Sequence, residues 1–284
     1  MGYSLIYQIP YFSIQIITLL IGILAFILIL SKMKNDSLLT IIINIQFILI
    51  CSLYPFCIIL KHFFNTNITT FFSPISELGK IAFALIIMLL IQLNFVPQSS
   101  QKTRETLYFV ISIFIGWVVP LSISVTALIL NKNWNEHKVL LITVVSLKYC
   151  YIAAFFTFSI LLSKDITKLY KQGDIMTKEF YEELKKTMIK YRIAVIYYLV
   201  TLLYYSILDI LEFRKILEVT SVPFNIASFL HNAINGIFLL TFIFNIERWK
   251  VLFNILSCGY LCQGFKEIRP TNETTIFELL GYNE

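Results

Sequence analysis

Lys148 is a charged residue within a long, mostly apolar stretch of the sequence. It is the only charged residue in "VVSLKYCYIAAFF", residues 144–156. If this stretch crosses a membrane, a charge near its middle costs on the order of 3 kcal/mol even on the lenient insertion scale. The side chain should therefore face the interior of a helix bundle and find a polar partner there. A cation held in this way can also bind an anionic or polar group of a ligand.

The candidate partners of Lys148 are polar side chains predicted near one end of other apolar segments. They are Asp209, Glu212, Glu77, His231 and Asn232. We predict that these residues line a ligand pocket with Lys148, and that Lys148 pairs with Asp209 until a ligand competes for it. In the alternative interpretation, the lysine extends its long side chain to the membrane interface.

No arrangement of residues typical of an enzyme is found in the sequence. The three histidines are scattered, and there is no Cys-x-x-Cys, no His-Glu-x-x-His and no glycine-rich phosphate loop. We therefore expect no catalytic residues, no metal, no cofactor and no nucleic-acid partner. A transporter or channel remains an alternative, although no internal repeat or broken helix points to one.

The elements that must position these residues are long apolar helices. Hydrophobic residues make up 58% of the 284 and charged residues only 14%, and stretches of about 20 apolar residues can span a membrane. Uniformly apolar runs of this length predict helices, because membrane strands would alternate in polarity. We predict an all-α bundle of seven transmembrane helices in residues 1–246, followed by a tail, 247–284. The runs cover residues 9–31, 38–60, 76–97, 107–130, 139–163, 192–212 and 223–246.

Orientation is predicted from lysine and arginine, which collect in cytoplasmic loops. With the N-terminus outside, sixteen of these residues fall in inner segments, and six, including Lys80, fall in outer segments. This favours an N-out protein of the plasma membrane with Asn67 of the Asn-Ile-Thr sequon outside. The inverted topology of insect-type chemoreceptor channels is the alternative. The inner basic residues expected to contact a cytoplasmic partner are Lys102, Arg104, Lys185, Lys186 and Lys190.

Two segments beyond the membrane have helical patterns. Thr177 is a candidate N-cap for a charged extension of the sixth helix, which a cytoplasmic partner could bind. After the seventh run, "NIERWKVLFNILSCGYLC" predicts a short amphipathic eighth helix at the membrane surface. Cys258 and Cys262 follow it as candidate palmitoylation sites.

Two short motifs resemble known receptors. "GWVVP" contains Trp117 and Pro120, and "NGIFLLTFIFNIERW" contains Asn235 and Gly236. Both are similar to patterns of the secretin-like and cyclic-AMP-receptor-like G-protein-coupled receptors, whereas Asp-Arg-Tyr and Asn-Pro-x-x-Tyr are missing. A divergent nematode-type serpentine chemoreceptor is a competing resemblance. Either implies a receptor for an extracellular small molecule or peptide that activates a heterotrimeric G protein. The four motif residues also have a purely structural interpretation, in bundle packing.

Overall fold

The computed structural model describes residues 5–31, 38–64, 68–93, 98–130, 138–172, 177–213 and 222–244. All regular structure in these ranges is helical. The helices are α1 (Leu5–Ser31), α2 (Leu38–Phe64), α3 (Ile68–Leu93), α4 (Gln98–Ile113), α5 (Val119–Ile129), α6 (Lys138–Gln172), α7 (Lys178–Phe213) and α8 (Val222–Phe242). A π-helical segment, Phe114–Val118, joins α4 to α5 as one continuous rod.

Six segments within the described residues are long and apolar enough to cross a membrane. They are Ile9–Leu30, Leu38–Lys61, Phe71–Gln92, Thr103–Ile129, Val139–Lys171 and Lys178–Leu208. Helices are the expected structure of such segments, because a lipid environment offers no partner for free backbone N–H and C=O groups. The architecture is that of a multi-pass, all-α membrane protein. The predicted eighth helix and the tail lie outside the described residues.

α8, a further long helix of the described bundle, is not among these six segments. It packs against α1 and α7, and it buries Asn232 and Asn235 among apolar neighbours. Its polar residues therefore face the other helices, as expected for side chains that would be costly to expose to lipid.

α3 is the central helix of the bundle. Every residue from 74 to 89 is buried, and α3 contacts α2, α4, α5, α6 and α8. The helix begins at Ile68, before the predicted start at residue 76, and Glu77 and Lys80 lie well inside it. Both charges are tolerated within the helix because they are paired inside the bundle.

An aromatic layer fills the bundle core. Tyr191 of α7 stacks on Phe242 of α8, with 4.3 Å between ring centroids, and Phe47 of α2 meets the same ring edge-on at 5.6 Å. Phe238 continues the layer to Tyr198, with centroids 5.9 Å apart. This layer joins α2, α7 and α8 in the half of the bundle towards the C-terminal end of α8.

Candidate functional site

A buried charge cluster centres on the carboxylate of Glu77, which is 5% exposed. Lys148 Nζ donates to Glu77 Oε2 at 2.7 Å, and Lys80 Nζ donates to Oε1 at 2.8 Å. His231 Nε2 lies 3.0 Å from the same Oε1. One carboxylate is therefore in contact with three basic side chains. We call Glu77, Lys80, Lys148 and His231 the Glu77 cluster.

Three helices bring the cluster together at one depth. Glu77, Lys148 and His231 follow the first residues of α3, α6 and α8 by about nine or ten positions, roughly 14 Å at about 1.5 Å per residue. Lys80 lies one turn after Glu77 on α3, which makes the two side chains neighbours on one helix face. The cluster therefore lies near mid-depth in the bundle.

A second layer of polar contacts connects the cluster to α1 and α7. Asn235 Oδ1 accepts a hydrogen bond from Lys80 Nζ at 3.3 Å, and the Tyr198 hydroxyl donates to the backbone carbonyl of Glu77 at 3.4 Å. The ammonium of Lys80 lies 5.5 Å from the centre of the Tyr198 ring, within the range of a cation–π contact. On α1, Gln15 Nε2 donates to Asn232 Oδ1 at 2.9 Å.

Burial makes these contacts matter energetically. A buried charge without a partner is costly, whereas a paired and hydrogen-bonded one is tolerated. Among the described side chains, His231 Nδ1 and Gln15 Oε1 are buried atoms without a hydrogen-bond partner. The His231 side chain is 18% exposed, more than the 7% of Glu77. His231 Nδ1 therefore keeps unused hydrogen-bonding capacity within the cluster.

The predicted pocket residues are placed as follows. The structure brings Lys148, Glu77 and His231 into direct contact, with Asn232 in the adjoining network. Lys148 is 5% exposed and pairs with Glu77 inside the bundle instead of extending to the interface. The side chains of Asp209 and Glu212 lie outside the described residues, so the Lys148–Asp209 pair stays a prediction.

Lys80 was assigned to an outer loop segment, and that assignment is wrong. Its side chain is 1% exposed within α3, which also lowers the predicted number of outer basic residues from six to five. The i, i+3 spacing of Glu77 and Lys80 is the sequence signal for a paired charge on one helix. The pairing was missed because Lys80 was counted with the outer segments, although the predicted run 76–97 contains it.

The "GWVVP" motif lies at the π-helical segment. Pro120 is buried at the start of α5, and Trp117 is half-buried within the segment. Proline has no N–H to bond the carbonyl four residues earlier, which belongs to Gly116. That carbonyl lies so close to Gly79 of α3 that a Cβ placed on Gly79 would be 3.3 Å from it. The motif thus makes a close contact between α3 and the π-helical segment, which fits its structural interpretation.

The other predicted residues lie away from the cluster. Arg104 is exposed on α4, and Lys185, Lys186 and Lys190 are exposed on α7; Lys102 also belongs to α4. Gly236 is buried in α8, where an added Cβ would lie 3.2 Å from Thr18 Oγ1 of α1. Asn67, Cys258 and Cys262 lie outside the described residues.

Comparisons with known proteins supply no family. No family model matches the chain, and no curated protein or solved structure matches it.

Proposed function

We propose that this chain is a cell-surface receptor that converts binding of an extracellular ligand into activation of a heterotrimeric G protein. In this proposal α8 is the seventh membrane span, the N-terminus is outside and the membrane is the plasma membrane. The single observation that carries the proposal is the Glu77 cluster, in which one buried carboxylate connects α3, α6 and α8.

The cluster suits a receptor because its partners can exchange. A ligand carboxylate or similar anionic group that binds Lys148 would replace Glu77 there, while Glu77 keeps its ion pair with Lys80 and its contact with His231. The carboxylate would not be left buried and unpaired, so the cost of breaking the α3–α6 contact is low. A ligand that binds the separated arrangement better shifts the population towards it.

The path from the cluster to a cytoplasmic partner runs along two helices. α6 continues to Gln172 and α7 begins at Lys178, so both extend beyond the length needed to cross a membrane. Their ends are joined by Tyr170 and Tyr181, whose rings stack with centroids 4.2 Å apart. A displacement of α6 at Lys148 would therefore also move this pair of helix ends.

The aromatic layer supports a receptor over a channel. It consists of large side chains, with Phe47 and Tyr191 both packed against Phe242, on the side of the Glu77 cluster towards the proposed cytoplasm. A ligand entering from outside would reach the cluster, while this layer separates the cluster from the opposite face.

Nucleotide exchange on purified G-protein heterotrimers tests the proposal directly. Membranes containing the wild-type chain should accelerate exchange, with a basal rate above that of empty membranes. Lys148→Met should raise this basal rate several-fold, because it removes the contact that holds α6 to α3. Lys80→Met is the matched control, since it leaves the Lys148–Glu77 pair in place. If no heterotrimer responds to any variant or ligand, the receptor proposal is wrong.

A transporter is a second candidate because of one feature, the contact between His231 and Glu77 at 3.0 Å. Histidine and carboxylate side chains within membrane helices are typical of proton relays in pumps and transporters. Reconstituted vesicles with an imposed pH gradient distinguish the two. Substrate uptake that depends on the gradient and is lost in His231→Gln, without nucleotide exchange in any variant, would favour the transporter.

A further inference from the structure

A second cationic site lies between α6 and α7, separate from the Glu77 cluster. It is a groove with a volume of about 610 Å³, lined by Ile160 and by six polar or basic residues: Ser163, Lys164, Thr167, Lys168, Lys171 and Arg192. Four of its lining residues are cations, and none of the described lining residues is acidic. Asp165, the carboxylate nearest in sequence, is exposed but does not line the groove.

The groove is a formed site, since its arginine is held in place. Arg192 of α7 donates through Nε to Ser159 Oγ and through Nη2 to the Ser159 carbonyl, at 2.7 Å for the latter, and to Ser163 Oγ. These bonds across two helices fix the guanidinium plane. Lys164, Lys168 and Lys171 follow at helical spacing on α6, so their ammonium groups lie along one face.

The depth of the groove matches that of lipid phosphates. Ser159, the partner of Arg192, lies about 32 Å along α6 from Lys138 at about 1.5 Å per residue, and the hydrocarbon core is about 30 Å thick. The guanidinium therefore lies at the boundary of the hydrocarbon core, and the three lysines lie progressively farther into the headgroup region.

The surface beside the groove is apolar and open. Ile160 is 49% exposed, and on α7 Ile189 and Ile193 are 44% and 59% exposed. Such side chains suit contact with acyl chains, whereas a soluble acidic protein would offer them no apolar partner at this depth. The cationic groove and the apolar surface beside it therefore suit a ligand that has both an anionic group and an apolar chain.

We propose that this groove binds an anionic phospholipid, with its phosphate-bearing headgroup on Arg192 and the three lysines and its acyl chains along Ile160 and Ile193. The phosphate oxygens would accept hydrogen bonds from Nη1 of Arg192, which the contacts with Ser159 and Ser163 do not use, from the lysine ammonium groups, and from the Ser163 O–H. The site is on the side of the membrane that we propose to be cytoplasmic, where anionic lipids are concentrated.

Native mass spectrometry of the full chain tests this assignment. The protein would be purified in detergent with mixed phosphatidylcholine and phosphatidylinositol bisphosphate, and the retained lipid counted. The wild-type chain should retain the anionic lipid selectively. Replacing the three groove lysines by glutamine should weaken retention on the order of a hundredfold, since each basic residue near the surface contributes about fivefold. Arg192→Gln is a second, independent groove variant and should also weaken retention.

The matched control replaces three lysines of α7 that do not line the groove, Lys178, Lys185 and Lys186, by glutamine. It makes the same change in net charge outside the groove and should retain lipid like the wild type. Equal retention by the control and by both groove variants would overturn the proposal. An additional arm adds free inositol phosphate; competition by it without any retained lipid would assign the site to a soluble phosphate and also overturn the lipid proposal. Loss of G-protein binding in the groove variants with lipid retention unchanged would assign the groove to an acidic protein instead.

Discussion

At the residue scale, the Glu77 carboxylate is the side chain on which the buried charges depend. Lys80 and Lys148 each contact a different oxygen of it. Substituting one lysine leaves Glu77 with its other basic partners. Substituting Glu77 removes the carboxylate with which both lysines pair. The two kinds of substitution should therefore have very different effects on stability.

We predict that Glu77→Gln destabilises the folded protein by about 3–5 kcal/mol, the usual effect of breaking a buried ion pair from one side. Lys148→Met should cost far less, because Glu77 keeps Lys80 and His231. The measurement is thermal unfolding of the purified protein in detergent, followed by the loss of monodisperse protein. Asp165→Asn, a change at an exposed carboxylate of α6, is the control and should unfold like the wild type. Equal stability of Glu77→Gln and the wild type would contradict this prediction.

The sequence predicted part of the candidate site. Lys148 was identifiable because it is isolated among apolar residues, and Glu77, His231 and Asn232 were named as its possible neighbours. The contact with Glu77 could not be singled out from sequence, since it depends on the rotation of α3 and α6 about their axes. Lys80 was missed because hydropathy alone does not distinguish a paired buried charge from a charge at a helix end.

At the scale of elements, α3 packs unusually close to the π-helical segment. A Cβ on Gly116 would overlap the ring of Phe83, which is fully buried. In contrast, a Cβ on Gly236 would lie 3.2 Å from Thr18 Oγ1 and at ordinary distances from its other neighbours. The two glycines therefore allow a comparison of the same substitution in tight and less tight helix contacts.

We predict that Gly116→Ala destabilises the protein by roughly 1–3 kcal/mol through overpacking. Gly236→Ala should be close to neutral, because alanine also favours the helix by up to about 1 kcal/mol. Thermal unfolding in detergent measures both. Adding Phe83→Leu to Gly116→Ala should restore part of the loss by shortening the side chain that is struck. A double variant less stable than Gly116→Ala alone would show that the Phe83 ring is not the obstacle.

The extended ends of α6 and α7 form a second pair of packed elements. Thr177 caps α7, with its Oγ1 accepting a hydrogen bond from the Phe180 N–H at 3.3 Å, as the sequence predicted. Tyr181 stacks on Tyr170 of α6, and its hydroxyl lies 3.5 Å from Thr167 Oγ1. These aromatic and polar contacts hold the helix ends together beyond the apolar part of the bundle.

Tyr181→Ala should separate these ends without disturbing the membrane-embedded bundle. We expect faster amide hydrogen exchange over residues 165–172 and 178–186, by about tenfold if one stacked pair contributes about 1.4 kcal/mol, near the upper end for aromatic contacts. Exchange within α3 should not change. Phe180→Ala is the control, since it removes a neighbouring aromatic residue that is not part of the stack. Identical exchange in both variants would mean that the stack does not hold the ends.

The existence of these helices was predictable, but some of their bounds were not. Each predicted apolar run coincides with long helical structure in the described residues, because only hydrogen-bonded backbone is stable in lipid. α3 and α4 begin earlier than their runs, at Ile68 and Gln98, because helical hydrogen bonding continues through polar residues such as Ser73 and Thr106. Hydropathy reports where the membrane core is, and the helix extends past it.

At the scale of the whole molecule, α3 is surrounded and the outer helices face lipid. Nearly nine-tenths of the span in α3, 89%, is buried, against 33% for the span in α1. The order in which helices surround α3 was not predictable, because the apolar runs resemble one another on every face. Its central position fits its buried Glu77, Lys80 and Gly79, which would be unfavourable against lipid.

We predict that an epitope tag inserted at residues 65–67, between α2 and α3, is reached by antibody on intact cells. A tag at residues 173–176, between α6 and α7, should be reached only after the cells are permeabilised. The reason is the excess of lysine and arginine in the segments predicted to be cytoplasmic, to which residues 173–176 belong. Surface staining of both tagged proteins, with a permeabilised sample of each as the control for expression, measures this. The reverse labelling would favour the inverted topology and would contradict the receptor proposal.

The spacing of Glu77 and Lys80 on one helix also bears on how the chain is made. As the protein is synthesised, Glu77 and Lys80 of α3 leave the ribosome before Lys148 and His231. Its own 2.8 Å ion pair lets α3 leave the translocon with its two opposite charges already neutralised by each other. α6 carries no carboxylate three or four residues from Lys148, and its lysine pairs with Glu77 of a helix made earlier. In chain order, the central helix therefore precedes the helix whose charge it pairs with.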